Sequence, residues 1–236
     1  RAEVGDDPER DSRQAAEPYR ALLKRLSTRL EATRAWSRAR LDGEPPGDAP
    51  IIETREQLFA PLLTCYRSLC DVGLETIANG VLLDTLRRVT VFGVNLAKLD
   101  VRQDGARHAQ VFEELTDYLG VGHYHDWDEP ARQAFLLEEL ASPRPLIPSR
   151  WACSAETREV LDTFGVIGRE HRQALGTYVI SMAQQPSDVL AVALLMKEAG
   201  NGVRLPIAPL FETLDDLDRA GDVIERLLAL PGYREA

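Results

Sequence analysis

The chain has 236 residues, of which 44% are hydrophobic, and its 38 aspartates and glutamates outnumber its 28 lysines and arginines to give a net charge of −10. This length and hydrophobic content suffice for one large domain or two small domains with a sizeable core. The acidic balance argues against nucleic acid or an anionic membrane as the main partner, although a local basic pocket is still able to hold an anionic substrate.

Three cysteines, Cys65, Cys70 and Cys153, are odd in number and widely spaced, which is typical of buried thiols in a reducing compartment. No apolar run reaches the length needed to span a membrane, and no signal peptide is recognisable. We therefore expect a cytoplasmic protein whose partners are neither membranes nor nucleic acids. Because the sequence begins with Arg1, we expect it to be part of a longer protein.

The predicted elements begin with a charged segment, residues 1–16, which we expect to be frayed. Helical apolar spacing then runs from Pro18 to Gly43. Thr54 and Gln57 have the spacing of a capping box that begins a second helix. Similar signals predict further helices over about 80–92, 105–119, 129–140 and 155–174. Another predicted helix is capped by Ser187 and closed by Gly200. A last predicted helix follows a capping box at Thr213 and Asp216.

Three candidate strands lie between these helices, at NLAKLDVRQ (95–103), TYVISMA (177–183) and RLPIAPLFE (204–212). Short strands that alternate with helices indicate parallel β/α units, and YVISM is apolar enough for a strand covered on both faces. The predicted fold class is α/β: a predominantly helical section of a TIM-type β/α barrel with large helical additions. A closed barrel needs eight units, so residues 17–236 are expected to form one incomplete domain.

Functional groups of parallel β/α proteins gather at the carboxyl ends of the strands, and two charged residues have that placement. Arg102 ends the first predicted strand, and Glu212 ends the third. Lys98 and Asp100 share a face with Arg102, so Asp100 is expected to pair with Lys98 and leave Arg102 free. A guanidinium suits phosphate or carboxylate, and a nearby carboxylate suits Mg²⁺ or Mn²⁺. The alternative is that Arg102 and Glu212 only form an internal ion pair.

Other candidate residues have weaker signals. His123 and His125 lie two apart in the polar loop GHYHDWDE, but no further metal-ligand spacing accompanies them. We expect His108 and His171 on helix surfaces. The cysteines contain no CxxC pair, and we expect them in the core.

Several segments occur in one order along the chain and carry a family resemblance: FGVNLAKLDVRQDGARH, SAETREVLDTF, TYVISMAQQPSDVLAVALLMKEAG and LPIAPLFETLDDL. Together they resemble phosphoenolpyruvate carboxylase, and LLDTLRRV and EPYRALLKRL are similar to its bacterial branch. The resemblance covers Tyr19 to Tyr233 and implies that the chain is a central section of a much longer enzyme.

The resemblance implies an eight-stranded β/α barrel with many extra helices. It also implies a reaction in which phosphoenolpyruvate and bicarbonate give oxaloacetate and phosphate with Mg²⁺ or Mn²⁺, through carboxyphosphate and the enolate of pyruvate. Arg102 would then bind the phosphate, and Glu212 would be one of two metal-ligand carboxylates. The family is commonly a homotetramer, inhibited by dicarboxylates and often activated by acetyl-CoA or sugar phosphates.

Parts of the family pattern do not occur in this chain. There is no TAHPTE-type motif, which carries the catalytic histidine of the family, and no YSDSxKD-type motif, which carries the second carboxylate. The glycine- and arginine-rich loop that closes over the substrate does not occur either. We therefore expect no catalytic residue in this chain, and we expect the isolated chain to be inactive.

A second hypothesis belongs to a different class of function. The chain would be a non-catalytic helical interaction module that keeps the family motifs for packing, with helices 18–42 and 54–72 as its surface. Sequence flanking the chain separates the two hypotheses, because only the enzyme requires the histidine motif upstream and the second carboxylate motif downstream.

Overall fold

The structure, a computed structural model, describes residues 17–170, 172–200 and 204–230. The chain divides after Ala97 into two compact units. The incomplete domain expected over 17–236 stays a prediction, since two compact units can belong to one domain of a longer protein. The segment 1–16, expected to be frayed, lies outside the described residues.

The first unit is helical. Its core consists of side chains from the three longer helices and from Ile52 in the loop after the first of them. Thr54 and Gln57 form the predicted capping box, which satisfies backbone N–H groups that the first turn of a helix leaves free. The elements are α1 (Pro18–Leu41), α2 (Arg55–Asp71), α3 (Glu75–Ile77), a π-helical segment (Ala78–Leu82) and α4 (Leu83–Phe92).

The second unit alternates strands and helices. Short 3₁₀ turns at Tyr124–Asp126 and Arg172–Ala174 connect some of them. Each predicted helix in this unit is present within about two residues of its expected bounds, except that the helix predicted over 155–174 ends at Arg169. The elements are β1 (Leu99–Asp104), α5 (Gly105–Leu119), α6 (Glu129–Ala141), α7 (Ala155–Arg169), β2 (Leu175–Ser181), α8 (Pro186–Glu198), β3 (Ile207–Pro209) and α9 (Leu214–Ala229).

The described strands form one parallel sheet in the order β1-β2-β3. Arg102 is opposite Val179, and Tyr178 is opposite Ile207. The predicted α/β class with parallel strands is confirmed, and the chain is mostly helical. The strand predicted over 204–212 is wrong in extent, because β3 ends at Pro209. Pro209 has no backbone N–H to donate to a neighbouring strand. One further hydrogen bond to β2 follows it, from the N–H of Leu210 to the carbonyl oxygen of Ile180 at 2.8 Å.

One face of the sheet packs against the helices. Tyr178 and Ile180 of β2 are fully buried in the core of the second unit, together with Phe112 of α5 and Phe164 of α7. Val179, on the opposite face of β2, is only partly buried. The expectation that both faces are covered is therefore met on one face only. The opposite face carries Arg102 and remains accessible in this chain. None of the helices in the described ranges is long and apolar enough to cross a bilayer.

The helix α8 begins differently from the sequence prediction. Its cap is Gln185, which forms a capping box with Asp188, and Gly200 closes the helix with a positive φ of 77° as expected. Ser187 lies inside the first turn and donates its hydroxyl to Glu129 of α6 at 2.6 Å. The prediction of Ser187 as the cap is wrong, because its hydroxyl joins two helices instead of closing its own.

Gly168 of α7 lies directly against the end of α8. A Cβ at this position would be 2.9 Å from the carbonyl oxygen of Ala199. Because that oxygen belongs to the backbone, it cannot turn aside as a side chain can. We expect Gly168→Ala to lower the free energy of unfolding by about 1–3 kcal/mol, measured by urea denaturation of the chain.

Gly165 of the same helix is the matched control. A Cβ there would meet only the flexible end of Arg169, at 3.4 Å. Gly165→Ala is expected to leave the free energy of unfolding unchanged or to raise it by up to about 1 kcal/mol, since alanine favours helix over glycine. Equal losses of stability in the two variants would contradict the packing described for Gly168.

Candidate active-site edge

Arg102 and Glu212 lie at the carboxyl ends of the parallel strands. Arg102 is two residues before the end of β1, and Glu212 follows β3 by three residues. Glu212 directly precedes Thr213, whose side chain caps α9 in a box with Asp216, as predicted. The polypeptide therefore turns from strand to helix at Glu212, and this turn holds the carboxylate at the edge of the sheet where parallel β/α proteins collect their functional groups.

The two side chains form an ion pair. The Nη2 atom of Arg102 donates to Oε1 of Glu212 at 2.8 Å. The Nε atom of the same guanidinium donates to the hydroxyl of Ser181 at 2.7 Å. The other carboxylate oxygen of Glu212 accepts the backbone N–H of Met182 at 3.0 Å. Residues from the ends of all three strands thus meet in one cluster.

Both side chains of the pair are accessible in this chain. The Arg102 side chain is 58% exposed and the Glu212 side chain 34% exposed. An ion pair with this exposure contributes at most about 1 kcal/mol to folding, so stability is a weak reason for its presence. The ion pair is expected under both the site hypothesis and the internal ion pair hypothesis, so the contact alone does not separate them.

Asp100 and Arg102, two of the charged side chains predicted to share one face of β1, make separate contacts in the structure. Asp100 does not pair with Lys98, as expected from the sequence, but accepts the backbone N–H of Thr177 at 2.7 Å. Oδ1 of Asp100 occupies the space that a Cβ on Gly176 would fill, so a larger residue there would displace the Asp100 carboxylate. The prediction about Lys98 is wrong because a free backbone donor on the neighbouring strand lies within reach of Asp100.

His108 is not on a helix surface. It is fully buried between α5 and β2, and its Nε2 lies 2.7 Å from the hydroxyl of Tyr178. Burial lowers the pKa of His108 from its ordinary 6.5 to about 4, so the ring is neutral at physiological pH. Its spacing from Val111, Phe112 and Leu115 matches one buried helix face and was the sequence signal for this position. His171 lies outside the described residues.

Both histidines of the polar loop contact the carboxylate of Glu113. Nδ1 of His123 is 3.1 Å from one oxygen of Glu113, and the backbone N–H of His125 donates to the other at 2.7 Å. That backbone hydrogen bond holds the pKa of Glu113 below its ordinary value. In the described part of the chain, no group of three histidine, cysteine or acidic side chains is arranged to hold a metal ion.

None of the three cysteines forms a disulfide. Cys65 is buried in the first unit, as expected of a core residue, whereas Cys70 and Cys153 are only partly buried. Cys153 packs against the core of the second unit.

Two residues of the cluster were missed by sequence reasoning. Ser181 and Met182 occur in YVISM, whose apolar character indicated only a buried strand. Met182 has a positive φ of 55°, which is uncommon for a residue with a side chain. No sequence pattern indicates that conformation, and Ser181 lies inside the strand predicted over 177–183, so its position gave no signal of a site.

Comparison with known proteins identifies the family. A sequence profile described as phosphoenolpyruvate carboxylase matches residues 2–236. This chain belongs to the phosphoenolpyruvate carboxylase family. It is 76% identical, over 99% of its own length and 26% of the relative, to a protein of Chromohalobacter salexigens named phosphoenolpyruvate carboxylase. Proteins with the same name from Escherichia coli and Shigella boydii are each 56% identical over 93% of this chain and 25% of their own length.

The resemblance seen in the sequence motifs is thereby confirmed for the family. The chain spans about a quarter of the length of these phosphoenolpyruvate carboxylases. A complete family member therefore has many further residues, some of which are able to contact Arg102 and Glu212.

Proposed function

We propose that the longer protein containing this chain carboxylates phosphoenolpyruvate with bicarbonate, and that this chain supplies one edge of its active site. The observation that carries the proposal is the meeting of Arg102 and Glu212 at the carboxyl ends of parallel strands. Family membership supports the reaction. We further propose that the parallel sheet is a section of an eight-stranded barrel whose other strands lie elsewhere in the longer protein.

Arg102 is the proposed phosphate-binding residue. Its guanidinium carries a fixed positive charge and a planar fork of N–H groups that fits phosphate oxygens. During the reaction, an oxygen of bicarbonate attacks phosphorus, and the bond from phosphorus to the enol oxygen breaks. Carboxyphosphate then divides into CO₂ and phosphate, and C3 of the enolate attacks the CO₂. Arg102 holds the phosphate oxygens throughout and stabilises the charge that moves over them.

Glu212 is the proposed metal ligand. Its two carboxylate oxygens are hard donors, each with a lone pair left after the contacts to Arg102 and Met182, and Mg²⁺ or Mn²⁺ prefers such donors. Mg²⁺ is commonly bound through one or two carboxylates together with substrate oxygens, so a single carboxylate from this chain fits the ion as part of a larger set. When bound, the ion supplies positive charge for an oxygen that becomes negative during the reaction.

The rest of the proposed machinery lies outside this chain. The family's catalytic histidine motif and second carboxylate motif do not occur in the sequence, so we propose that the isolated chain is inactive. We also propose a cytoplasmic location, which suits three cysteines that form no disulfide, and a homotetramer for the full-length enzyme.

The test of the proposed function is oxaloacetate formation by the full-length protein. Phosphoenolpyruvate, bicarbonate and Mg²⁺ should give oxaloacetate and phosphate in equal amounts, while the isolated 236-residue chain should give neither. A correctly folded full-length protein that is inactive with both Mg²⁺ and Mn²⁺ would instead favour the non-catalytic interaction module.

Arg102→Lys tests the phosphate role. Lysine keeps the positive charge but lacks the planar fork, so we expect KM for phosphoenolpyruvate to rise about 10-fold or more, the effect of losing one hydrogen bond to a charged group. Steady-state kinetics of the full-length protein measure this change.

Arg107→Lys is the matched control. Arg107 of α5 pairs with Glu159 of α7 at 2.8 Å, the same distance as the Arg102–Glu212 pair, but it lies on the helix layer. We expect its KM to match that of the wild type. If Arg102→Lys also saturates normally with phosphoenolpyruvate, the proposed phosphate role is wrong.

A further inference from the structure

Ser181 makes a contact that the fold itself does not need. Its backbone pairs with Asp104 in the parallel ladder between β1 and β2. Its hydroxyl, in contrast, accepts the Nε–H of Arg102 at 2.7 Å. The strand ladder would be complete with alanine at this position, so the hydroxyl acts on the side chain of Arg102 alone.

The hydroxyl determines which edge of the guanidinium is occupied. Nε and the adjacent hydrogen of Nη2 form one edge of the group, and this edge binds Ser181 and Glu212. The end of the fork, with one hydrogen from each Nη, has no other acceptor among residues 17–170, 172–200 and 204–230. Two parallel N–H groups at the end of a guanidinium match two oxygens of a phosphate. The contact with Ser181 therefore presents the free end of Arg102 to an anion.

The same peptide segment holds the acidic partner. Met182, the next residue, donates its backbone N–H to Oε2 of Glu212 at 3.0 Å. The left-handed backbone of Met182 turns the chain sharply at the end of β2, and residues held in such conformations cluster at functional sites. Ser181 and Met182, which are consecutive in the chain, thus hold the side chains of Arg102 and Glu212 respectively.

We propose that Ser181 is a positioning residue for phosphoenolpyruvate, which holds Arg102 by Nε so that the free end of the guanidinium faces the phosphate. The proposal rests on the proposed function. A carboxylate that binds a metal ion has less negative charge to offer Arg102, and the contact with the Ser181 hydroxyl does not depend on that charge. Ser181 then keeps the guanidinium in place whether or not Glu212 remains paired with it.

The experiment is the steady-state kinetics of Ser181→Ala in the full-length protein. Loss of a hydrogen bond to a charged group is expected to raise KM for phosphoenolpyruvate about 10-fold. We expect KM for bicarbonate to stay within about 3-fold of the wild type, since Ser181 acts only through the phosphate-binding group, whereas kcat should fall with the charge stabilisation that Arg102 supplies. Ser181→Thr keeps the hydroxyl and should restore KM to within about 3-fold of the wild type.

Thr177→Val provides the matched control. Thr177 lies on the same face of β2 as Ser181, four residues earlier, and like Ser181 it is partly buried. Valine removes that hydroxyl with little change of shape, and KM for phosphoenolpyruvate should not change. A general loosening of the strand would raise KM in both variants, and that outcome overturns the positioning role of Ser181.

The outcomes separate this inference from the proposed function. An active wild type with an unchanged KM in Ser181→Ala overturns the positioning role and leaves the proposed function standing. A raised KM that Ser181→Thr does not restore also overturns it, since the hydroxyl would not be the cause. A folded wild type that forms no oxaloacetate overturns the proposed function, and the role of Ser181 fails with it.

Discussion

Glu212→Gln is expected to lower kcat for oxaloacetate formation by the full-length protein at least about 100-fold. Residues that merely support a metal ligand change affinity or activity by about 10–100-fold when they are replaced, and a direct ligand should matter at least as much. Glutamine keeps the shape of the side chain but has a single acceptor oxygen, so the variant loses the charge together with the hydrogen bond from either Arg102 or the Met182 backbone. Activity titrated with Mg²⁺ and Mn²⁺ measures the change.

Glu225→Gln is the control for this prediction. Glu225 is an exposed residue of α9, so the same change removes the same charge away from the strand ends. Its activity and metal requirement should equal those of the wild type. If Glu212→Gln turns over like Glu225→Gln at every metal concentration, Glu212 does not bind the metal.

His108 is expected to make the second unit sensitive to acid. The buried ring takes up a proton only near pH 4, whereas the unfolded chain binds one near the ordinary pKa of 6.5. The unfolded state therefore binds more protons between these values, and stability falls as the pH is lowered. We expect a loss of about 2 kcal/mol between pH 7.5 and pH 5, and about 3 kcal/mol in total once the pH is below 4.

Urea denaturation of the chain between pH 7.5 and pH 5 tests this prediction. The double variant His108→Met with Tyr178→Phe removes both partners of the buried hydrogen bond, so neither group is left unpaired. Between pH 7.5 and pH 5, the free energy of unfolding of this double variant should fall by about 2 kcal/mol less than that of the wild type. Tyr178→Phe alone retains the ionisable ring and should keep the wild-type slope. Equal slopes in all three proteins would mean that His108 does not cause the acid sensitivity.

The strands and the two charged residues were predictable because simple rules govern them. Alternation of short strands with helices predicted the parallel sheet, and the position rule for strand ends selected Arg102 and Glu212 before their contact was visible. Their roles in phosphate and metal binding stay predictions.

The contacts of the site were not predictable, because they depend on the register between strands distant in sequence. Asp100 bonds to the backbone of Thr177 and not to Lys98, since the pairing of β1 with β2 brings that donor close. The hydroxyl of Ser181 reaches Arg102 for the same reason. Alternation within one strand shows which residues share a face, but it cannot show which residues of the next strand lie beside them.

The prediction that His108 lies on a helix surface was wrong for a different reason. Its helical spacing from Val111, Phe112 and Leu115 placed it on the apolar face of α5, but its polarity suggested the surface. The hydroxyl of Tyr178 on a neighbouring strand makes the buried position acceptable. A polar residue on an apolar helix face is buried where another element offers a partner, and that partner is a feature of the tertiary structure.

The most direct test of the site is the position of Mn²⁺ in crystals of the full-length protein with phosphoenolpyruvate, located by its anomalous scattering. We predict a manganese peak roughly 2.1 Å from a carboxylate oxygen of Glu212, with the free end of the Arg102 guanidinium on the phosphate. A manganese peak bound by other residues, with Arg102 and Glu212 still paired only to one another, would contradict the account and leave the pair as a structural contact.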